Sequence, residues 1–246
     1  MRVLSADVVL EDIKRHISAA ERTDYIMPVW LPFLPLILVI IGIIAALASY
    51  GESYEAGVMA SLGTAIGISI IGIIVNFYVI YKWIKRRNEH FRRTHALWSS
   101  VVSALEAAGI DEPEVIGIKD ALNEAKYDEQ EKSAGLWTIL TIVPFVIYYV
   151  YHFLNKDFVK HERREMRILN NLRDLLRKRG GYVEVPVEPT IKDRSTFLYF
   201  ILSIITAGIF QLYWVYTLTK DPNEHFRMHR MFEERLLDSL RRVITG

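Results

Sequence analysis

The chain has 246 residues, and its 30 Lys and Arg residues against 29 Asp and Glu residues give a formal net charge of only +1. This balance provides no bulk attraction for nucleic acid, and we predict no nucleic-acid partner. The absence of cysteine excludes disulfides, thiolate metal ligands and cysteine nucleophiles. Hydrophobic residues (51%) and charged residues (24%) occur in ordinary proportions, but the two classes are segregated along the chain.

The first 27 residues are predicted to form an amphipathic helix. Val9, Ile13 and Ile17 recur at four-residue spacing, which places them on one helix face, and Ser5 is a candidate N-cap. Several acidic residues precede the first apolar run, so this region does not read as a signal peptide.

Four stretches of the chain are almost free of charge. Each has about 20 residues or more, enough for a helix to cross the roughly 30 Å hydrocarbon core of a bilayer. The stretches are Pro28–Tyr50, Val58–Trp83, Gly135–Leu154 and Ser195–Leu218. We therefore predict an all-α integral membrane protein with four apolar membrane segments, each of the last three followed by an amphipathic charged helix.

The order of these features predicts six parts of the chain. They are an N-terminal amphipathic helix (1–27), membrane segments 1 and 2 with a first charged helix (28–110), an acidic linker helix (111–134), segment 3 with its helix (135–181), an extended linker (182–194) and segment 4 with its helix (195–246). Asp111 and Pro113 mark the start of the acidic helix, and the last charged helix is expected to begin at Pro222.

Segment 2 carries small and polar residues that predict helix packing. Gly63 and Gly67 form a Gly-x-x-x-Gly pair, which allows another helix to approach closely in lipid. The partner is either segment 1 of the same chain or a second copy. Asn76, deep in the same segment, is expected to hydrogen-bond across helices, with a role in a transport path as the alternative.

An internal repeat is the most specific signal in the sequence. Six residues recur at an offset of 135 positions. Tyr78, Tyr81, Asn88, Glu89, His90 and Phe91 match Tyr213, Tyr216, Asn223, Glu224, His225 and Phe226. A weaker third copy places His161 after Tyr151. The charged helix of each copy has an apolar stripe at helical spacing, so the three helices are predicted to bury one another in a cytoplasmic bundle; lying flat on the membrane is the alternative.

The last copy along the chain, which contains Tyr213 and His225, also resembles a known family. The stretch Leu198–Tyr216, LYFILSIITAGIFQLYWVY, and the KDPNEHF that follows it are similar to the prokaryotic, archaeal-type membrane family called domain of unknown function 4234, best over residues 196–237. That family has no established activity. The resemblance therefore implies a small integral membrane protein and transfers no catalytic residue.

The distribution of basic residues predicts topology. The loop 51–57 has no Lys or Arg, so the positive-inside rule places it outside and the charged helices in the cytoplasm. If each of the four segments spanned the membrane fully, residues 155–194, which carry eleven basic residues, would lie outside the cell. Pro144 and Gly208 divide segments 3 and 4 into halves, so both segments could instead be re-entrant hairpins. The sequence leaves both arrangements open.

One group of residues has metal-ligand spacing. His225, His229 and Glu233 lie at i, i+4 and i+8 on one helix face. The corresponding positions after His90 do not repeat the pattern, because Thr94 follows it by four residues. A site belonging to the repeat should recur, so we treat the three as weak candidates and predict no metal, no cofactor and no catalytic residue.

These observations favour a multi-pass cell-membrane protein that acts as a non-enzymatic scaffold or interaction module. Its expected partners are the lipid bilayer and further copies of itself, with a cytoplasmic protein as a further candidate. A channel or passive transporter is the alternative, although the membrane segments lack the ionisable groups that pumps use. A metal-dependent membrane enzyme is the weakest interpretation.

Overall fold

A computed structural model describes residues 6–48, 54–183 and 189–245 of the chain. The described residues form helices and turns, and they include no strand, as the sequence predicts. The helices are α1 (Ala6–Thr23), a 3-10 turn (Leu31–Phe33), α2 (Leu34–Ala48), α3 (Tyr54–Ala107), α4 (Pro113–Asp128), α5 (Ala134–Leu140), α6 (Val146–Lys178), α7 (Thr196–Ile205) and α8 (Ile209–Thr245).

Helix α3 joins a long apolar stretch to a charged one without a break. Its apolar stretch, which begins at Val58, has a mean hydropathy of 2.3 and is not buried against the described protein. Among the described residues, α3 alone is long and apolar enough to cross a membrane by length and composition. Shorter apolar helices cover Leu31–Leu47 and Thr196–Ile205. Exposed apolar surface on this scale favours contact with lipid over contact with water.

The predicted segments 3 and 4 are each folded back on themselves. The chain turns between α5 and α6, where Phe145 adopts a positive φ of 68°, and again between α7 and α8, where Gly208 has φ 90°. The breaks therefore fall beside Pro144 and at Gly208, as predicted. Within the hairpins, the ring of Trp137 lies 5.2 Å from that of Tyr149, and the ring of Tyr199 lies 4.9 Å from that of Phe210.

Ion pairs close the open ends of both short hairpins. Lys132 approaches Asp157 to 3.7 Å at the base of the α5–α6 hairpin, and Arg194 pairs with Asp221 at the base of the α7–α8 hairpin. Each short apolar hairpin therefore starts and finishes at the same end, next to the charged helices.

The charged parts of α3, α6 and α8 share one hydrophobic core. Their apolar stripes pack together around Trp98, Leu172 and Leu236, and α1 adds Val9 and Ile13. This burial confirms the predicted bundle and leaves no apolar stripe free to lie on a membrane. The predicted N-terminal helix is also confirmed, although its proposed cap, Ser5, lies outside the described residues.

The glycine contacts differ from the prediction. A Cβ added at Gly63 or Gly67 would meet no described atom within 4 Å, so this pair does not pack against α2. Instead, Gly42 of α2 faces Ile68, where an added Cβ would come within 2.7 Å of the Ile68 side chain. Asn76 is exposed on the surface of α3 and does not make the expected contact across helices.

One predicted helix start is confirmed and one needs correction. Helix α4 starts at Pro113, as predicted, although Glu112 and not Asp111 is in the capping position and no side chain caps the helix. Helix α8 starts at Ile209 and continues through Pro222, which was expected to begin it.

Arg86 explains how α8 tolerates an internal proline. Proline has no backbone N–H, so the carbonyl of Leu218, four residues before Pro222, loses its helical donor. The guanidinium Nη2 of Arg86 donates to this carbonyl at 2.8 Å and reaches the Thr219 carbonyl at 3.4 Å. Its Nη1 donates to Asn223 Oδ1 at 2.9 Å. The buried side chain of α3 thus replaces the missing donor of α8.

Because Arg86 replaces the donor that Pro222 removes, we predict that substitutions at Arg86 and Pro222 have coupled effects on the free energy of unfolding. Arg86→Met should lower the free energy of unfolding by about 1–3 kcal/mol, because buried acceptors are left unpaired. In a Pro222→Ala background the new N–H can bond Leu218, so Arg86→Met should cost less there. Unfolding of the four variants in detergent measures the coupling, and additive losses would contradict it.

Candidate metal centre

Four histidines and one glutamate meet where the charged parts of α3, α6 and α8 converge. Helix α3 supplies His90, α6 supplies His161 and Glu165, and α8 supplies His225 and His229. All five side chains are buried, and one donor atom from each lies within 4.8 Å of the others. His90 occupies the middle of the group, with ring centroids 5.1 Å from His161, 5.1 Å from His225 and 4.8 Å from His229.

The distances among the donor atoms match those around a single metal ion. Glu165 Oε2 lies 3.3 Å from His161 Nε2, 3.5 Å from His225 Nε2 and 2.7 Å from His229 Nε2. Ligands held about 2.1 Å from one ion are separated by roughly 3 Å when adjacent and roughly 4 Å when opposite. The cluster therefore has the size of one coordination sphere.

Three of the imidazole nitrogens that face this centre lack hydrogen-bond partners. The Nε2 atoms of His90, His161 and His225 are buried and make no hydrogen bond among the described residues. Unpaired buried polar atoms are costly, and native structures rarely keep several of them in one place. Three such atoms directed at one point indicate a site for a cation that accepts nitrogen lone pairs.

Each of the four imidazoles also has a carboxylate at its other nitrogen. Nδ1 lies 3.1 Å from Asp24 in His90, 3.0 Å from Glu129 in His161, 3.2 Å from Glu162 in His225 and 3.0 Å from Glu233 in His229. A carboxylate that accepts from Nδ1 fixes the tautomer and leaves the Nε2 lone pair free for a metal. This outer layer is the usual support of histidine metal ligands.

The charge of the cluster also favours a cation. Asp24, Glu129, Glu162, Glu165 and Glu233 contribute five carboxylates around the histidines. Arg93 bonds Asp24 and Glu233, and Arg164 bonds Glu129. With all four imidazoles neutral, these two guanidinium groups would leave a surplus of about three negative charges, and burying such a surplus is unfavourable without a counter-charge, which protons or a metal ion can supply.

The pKa values of two histidines reflect this surplus. Burial disfavours a charged His229, yet the carboxylates of Glu165 and Glu233 raise its pKa to about 10. Burial likewise opposes charge on His161, whereas Glu129 and Glu165 raise its pKa to about 9. Burial lowers the pKa of His90 and His225, so the site favours protons at only two of its four imidazoles. At those two, protons and a metal ion would compete for the same nitrogen atoms.

Three asparagines hold the segments that precede the hairpins against these helices. Asn223 bonds both the N–H and the carbonyl of Met27, before the α2–α3 hairpin. Asn88 bonds both backbone groups of Lys132, before α5. Asn155 bonds the Lys192 carbonyl and the Arg194 N–H, before α7. The same segments carry Asp24, Glu129 and Thr190 close to the histidines, so they position the outer layer.

The residues of the aligned motif occupy matching environments. The exposed fractions are 45% for Tyr78 and 47% for Tyr213, and 37% for both Tyr81 and Tyr216. The histidine, asparagine and phenylalanine of both copies are buried. Glu89 and Glu224 are partly exposed, and each pairs with a lysine four residues earlier in its helix.

The structure brings two of the three predicted metal candidates to the centre. His225 and His229 face the centre, but Glu233 bonds His229 Nδ1 and Arg93 and thus belongs to the outer layer. Sequence reasoning missed His90, His161 and Glu165 as ligands. The available signal was the histidine common to all three copies, together with Glu165 four residues after His161.

The cavities of the described residues lie mostly away from this centre. Cavities of about 730 and 720 Å³ lie beside Asp12 and Ser100 and beside Tyr149 and Phe197. A third, of about 10 Å³, is lined by Thr94 together with His161 and Glu165. It is large enough for about one water molecule and too small for an organic substrate.

The comparisons with known proteins agree with the resemblance noted above. The family described as "Domain of unknown function (DUF4234)" matches residues 194–236, which is the part of the chain from the base of α7 into α8. No curated protein and no solved structure matches the chain significantly. The match covers His225 and His229 but leaves His90, His161 and Glu165 outside it.

The outer layer generates a stability prediction for Arg93. Arg93→Met should lower the free energy of unfolding by about 3–5 kcal/mol, because Asp24 and Glu233 would then be buried without their partner. The matched control is Arg92→Met, whose pair with Glu131 is exposed and should contribute about 0–1 kcal/mol. Unfolding in detergent measures both, and equal losses would contradict the assigned role.

Proposed function

We propose that this chain is a membrane-anchored metalloprotein that holds one divalent transition-metal ion. The ligands would be His90, His161, Glu165, His225 and His229. The observation that carries the proposal is the convergence of their buried donor atoms within 4.8 Å, with three Nε2 atoms that make no hydrogen bond, two of them facing the same oxygen of Glu165. A carboxylate at every Nδ1 supports the same assignment.

The ligand set favours a particular class of metal. Imidazole nitrogens suit iron, zinc, nickel and copper, whereas magnesium and calcium prefer sites made of oxygen donors. The ion would also offset part of the negative surplus and join three helices that are distant in sequence. An ion in this place stabilises the bundle in the way that structural metal sites stabilise small domains.

Metal analysis tests this proposal directly. Protein purified in detergent, stripped of metal and incubated with Fe(II) anaerobically or with Zn(II), should retain about one ion per chain. His161→Ala should lower metal affinity by at least about tenfold, the effect reported even for loss of an outer-shell partner. The matched control is His152→Ala, a histidine of the same helix, α6, that lies outside the donor group and bonds Thr196.

Two outcomes would contradict the metal centre. The first is purified wild-type protein that retains no metal under either condition. The second is equal loss of metal from His152→Ala and His161→Ala, which would point to non-specific binding. The melting temperature of wild-type protein should also rise with added metal, because the ion binds only the folded state.

The placement of the chain in the bilayer is part of the same proposal. The apolar part of α3 and the neighbouring α2 would form one hairpin that enters the membrane, and the α5–α6 and α7–α8 hairpins would enter it partway. The shared core of the charged helices supports this arrangement, because it requires α3, α6 and α8 to continue on one side. Segments 3 and 4 would then be re-entrant, with the charged bundle cytoplasmic by the positive-inside rule.

Matching contacts support descent of these units from a three-fold repeat. Each unit has an apolar hairpin that leads into a charged helix, a histidine at the centre and an asparagine that bonds the segment before a hairpin. The asparagine of each unit holds the next unit, and the last holds the first.

Cysteine labelling tests the membrane arrangement. The chain has no natural cysteine, so single substitutions are unambiguous. Arg177→Cys in α6 and the control Lys126→Cys in α4 are both exposed and should react with a membrane-impermeant thiol reagent only after the cells are opened. Labelling of Arg177→Cys alone in intact cells would support four crossings and contradict the re-entrant hairpins.

The role of the protein is proposed to be non-enzymatic with respect to organic substrates. The cavity that touches the proposed metal ligands is too small for such a molecule, which supports a non-enzymatic role.

Self-association remains part of the proposal, since the Gly63 and Gly67 face is open among the described residues. Copy number in detergent tests it, and a strictly monomeric protein would exclude it.

A further inference from the structure

We propose that the groove between α6 and α7 binds one anionic phospholipid, with the phosphate at Lys156 and an acyl chain against Tyr149, Phe197 and Phe200. This groove is the cavity of about 720 Å³, and all four side chains line it. The inference is independent of the metal centre. It rests on the other part of the proposed function, the entry of the α5–α6 and α7–α8 hairpins into the bilayer.

The two walls of the groove change from aromatic to polar in the same direction. Helix α6 runs from the tip of its hairpin towards the charged bundle, and its wall presents Tyr149 first and Lys156 seven residues later. Helix α7 runs the other way, so its wall begins at the N-cap Ser195 and continues with Phe197 and Phe200. The polar half therefore lies beside the charged bundle and the aromatic half beside the hairpins, which is the order of parts in a phospholipid seated in a bilayer.

The spacing of Tyr149 and Lys156 suits the surface of a bilayer. Seven residues of helix rise by about 10 Å. The headgroup layer on each side of the hydrocarbon core is roughly 5–8 Å thick. Tyrosine is enriched at the edge of the hydrocarbon, and a lysine reaches from there to the headgroups.

The same spacing recurs in all three units of the chain. A tyrosine lies twelve residues before the central histidine, and a lysine lies five residues before it. The pairs are Tyr78 and Lys85, Tyr149 and Lys156, and Tyr213 and Lys220. The three tyrosines have similar exposed fractions of 45%, 52% and 47%, so the three units present the same level of the structure to their surroundings.

The unit of α6 differs from the other two in charge. Lys85 of α3 approaches Glu89 to 3.8 Å, four residues later in its helix. Lys220 of α8 likewise approaches Glu224 to 3.2 Å. In α6 the position four residues after the lysine is the exposed Lys160, so this unit lacks the compensating glutamate.

Basic side chains outnumber acidic ones at the polar end of the groove. Lys156 and Arg163 share one carboxylate, that of Asp193, and Lys160 adds a third positive charge. The other carboxylate nearby, Asp157, already pairs with basic residues of α3 and of the segment before α5. A surplus of positive charge at the membrane surface attracts anionic headgroups.

Lys156 keeps hydrogen-bond donors for a phosphate. An ammonium group has three N–H donors, and the bond to Asp193 uses one of them. The side chain is 31% exposed, so a lipid phosphate can reach the other two. His152 and Thr196 also line the groove, but they bond each other at 2.7 Å. Lys156 is therefore the residue assigned to the phosphate.

The aromatic half of the groove selects an amphipathic anion over an inorganic one. Phe197 is 75% exposed and Tyr149 is 52% exposed, and exposed apolar surface of this kind marks a binding surface. The other large cavity, beside Asp12 and Ser100, has no aromatic residue in its described lining. Only the groove between α6 and α7 combines an aromatic wall with surplus positive charge among these two cavities.

Lipid binding to the full chain in detergent tests the inference. In native mass spectrometry, wild-type protein should bind one phosphatidylglycerol at least about fivefold more tightly than phosphatidylethanolamine, whose headgroup has no net charge. One basic residue at an anionic surface contributes about this factor. Dioleoylglycerol, which lacks the phosphate, and glycerol 3-phosphate, which lacks the chains, should both bind more weakly still.

Two pairs of variants locate the lipid. Lys156→Gln should weaken phosphatidylglycerol binding by about fivefold, whereas Lys220→Gln, at the equivalent position outside the groove, should bind as the wild type does. Phe197→Ala should weaken it by about fivefold or more, because the acyl chain loses apolar contact. Its control is Ile209→Ala, an equally exposed position of the same hairpin that does not line the groove.

Equal affinity for phosphatidylglycerol and phosphatidylethanolamine would overturn the inference, as would equal losses from Lys156→Gln and Lys220→Gln. Glycerol 3-phosphate that binds as tightly as phosphatidylglycerol would indicate a site for free phosphate and would also overturn it. A chain that needs detergent and retains metal but shows no preference among lipids would contradict the lipid site alone. A chain that stays monodisperse in buffer without detergent would instead contradict the proposed membrane placement.

Discussion

Burial of five carboxylates and four imidazoles at the meeting point of three helices is the constraint on which the rest of the structure depends. Carboxylates can be buried only when cations or hydrogen-bond donors compensate them. Arg93 and Arg164 supply part of the compensation, and Glu162 also accepts from the backbone of Thr190 and Ile191. The charge that remains lies around the imidazoles, and it is the basis for proposing that the centre binds a metal cation.

The same constraint explains why segments outside the three long helices are well placed. Asp24 follows the end of α1, and Glu129 follows the end of α4, yet both carboxylates contact histidines at the centre. About three residues further along the chain, immediately before each hairpin, the backbone is bonded by the side chains of Asn223, Asn88 and Asn155. The metal centre and the entry to every hairpin are therefore mechanically connected through short stretches of chain.

Sequence reasoning succeeded where a local pattern determined the structure. Apolar periodicity predicted the helical bundle, and the breakers Pro144 and Gly208 predicted the turns inside segments 3 and 4. It failed where a distant residue supplied what the local sequence lacked. Pro222 reads as a helix start, because a proline removes a backbone hydrogen bond, but Arg86 from another helix replaces the donor. Gly63 and Gly67 were predicted to pack against segment 1 or a second copy; Gly42 is the glycine of α2 that meets α3, which leaves the second copy as the proposed partner of that face.

The candidate metal centre shows why sequence reasoning did not bring its five residues together. The absence of a His-x-x-x-His pair after His90 argued against a metal site that belongs to the repeat, on the assumption that each copy builds its own. In the structure, one buried cluster draws one residue from α3 and two each from α6 and α8. If the three units are copies of one repeat, as proposed, each would supply only one or two donors to a shared site. The positions four residues after the three histidines could then differ, as Thr94, Glu165 and His229 do.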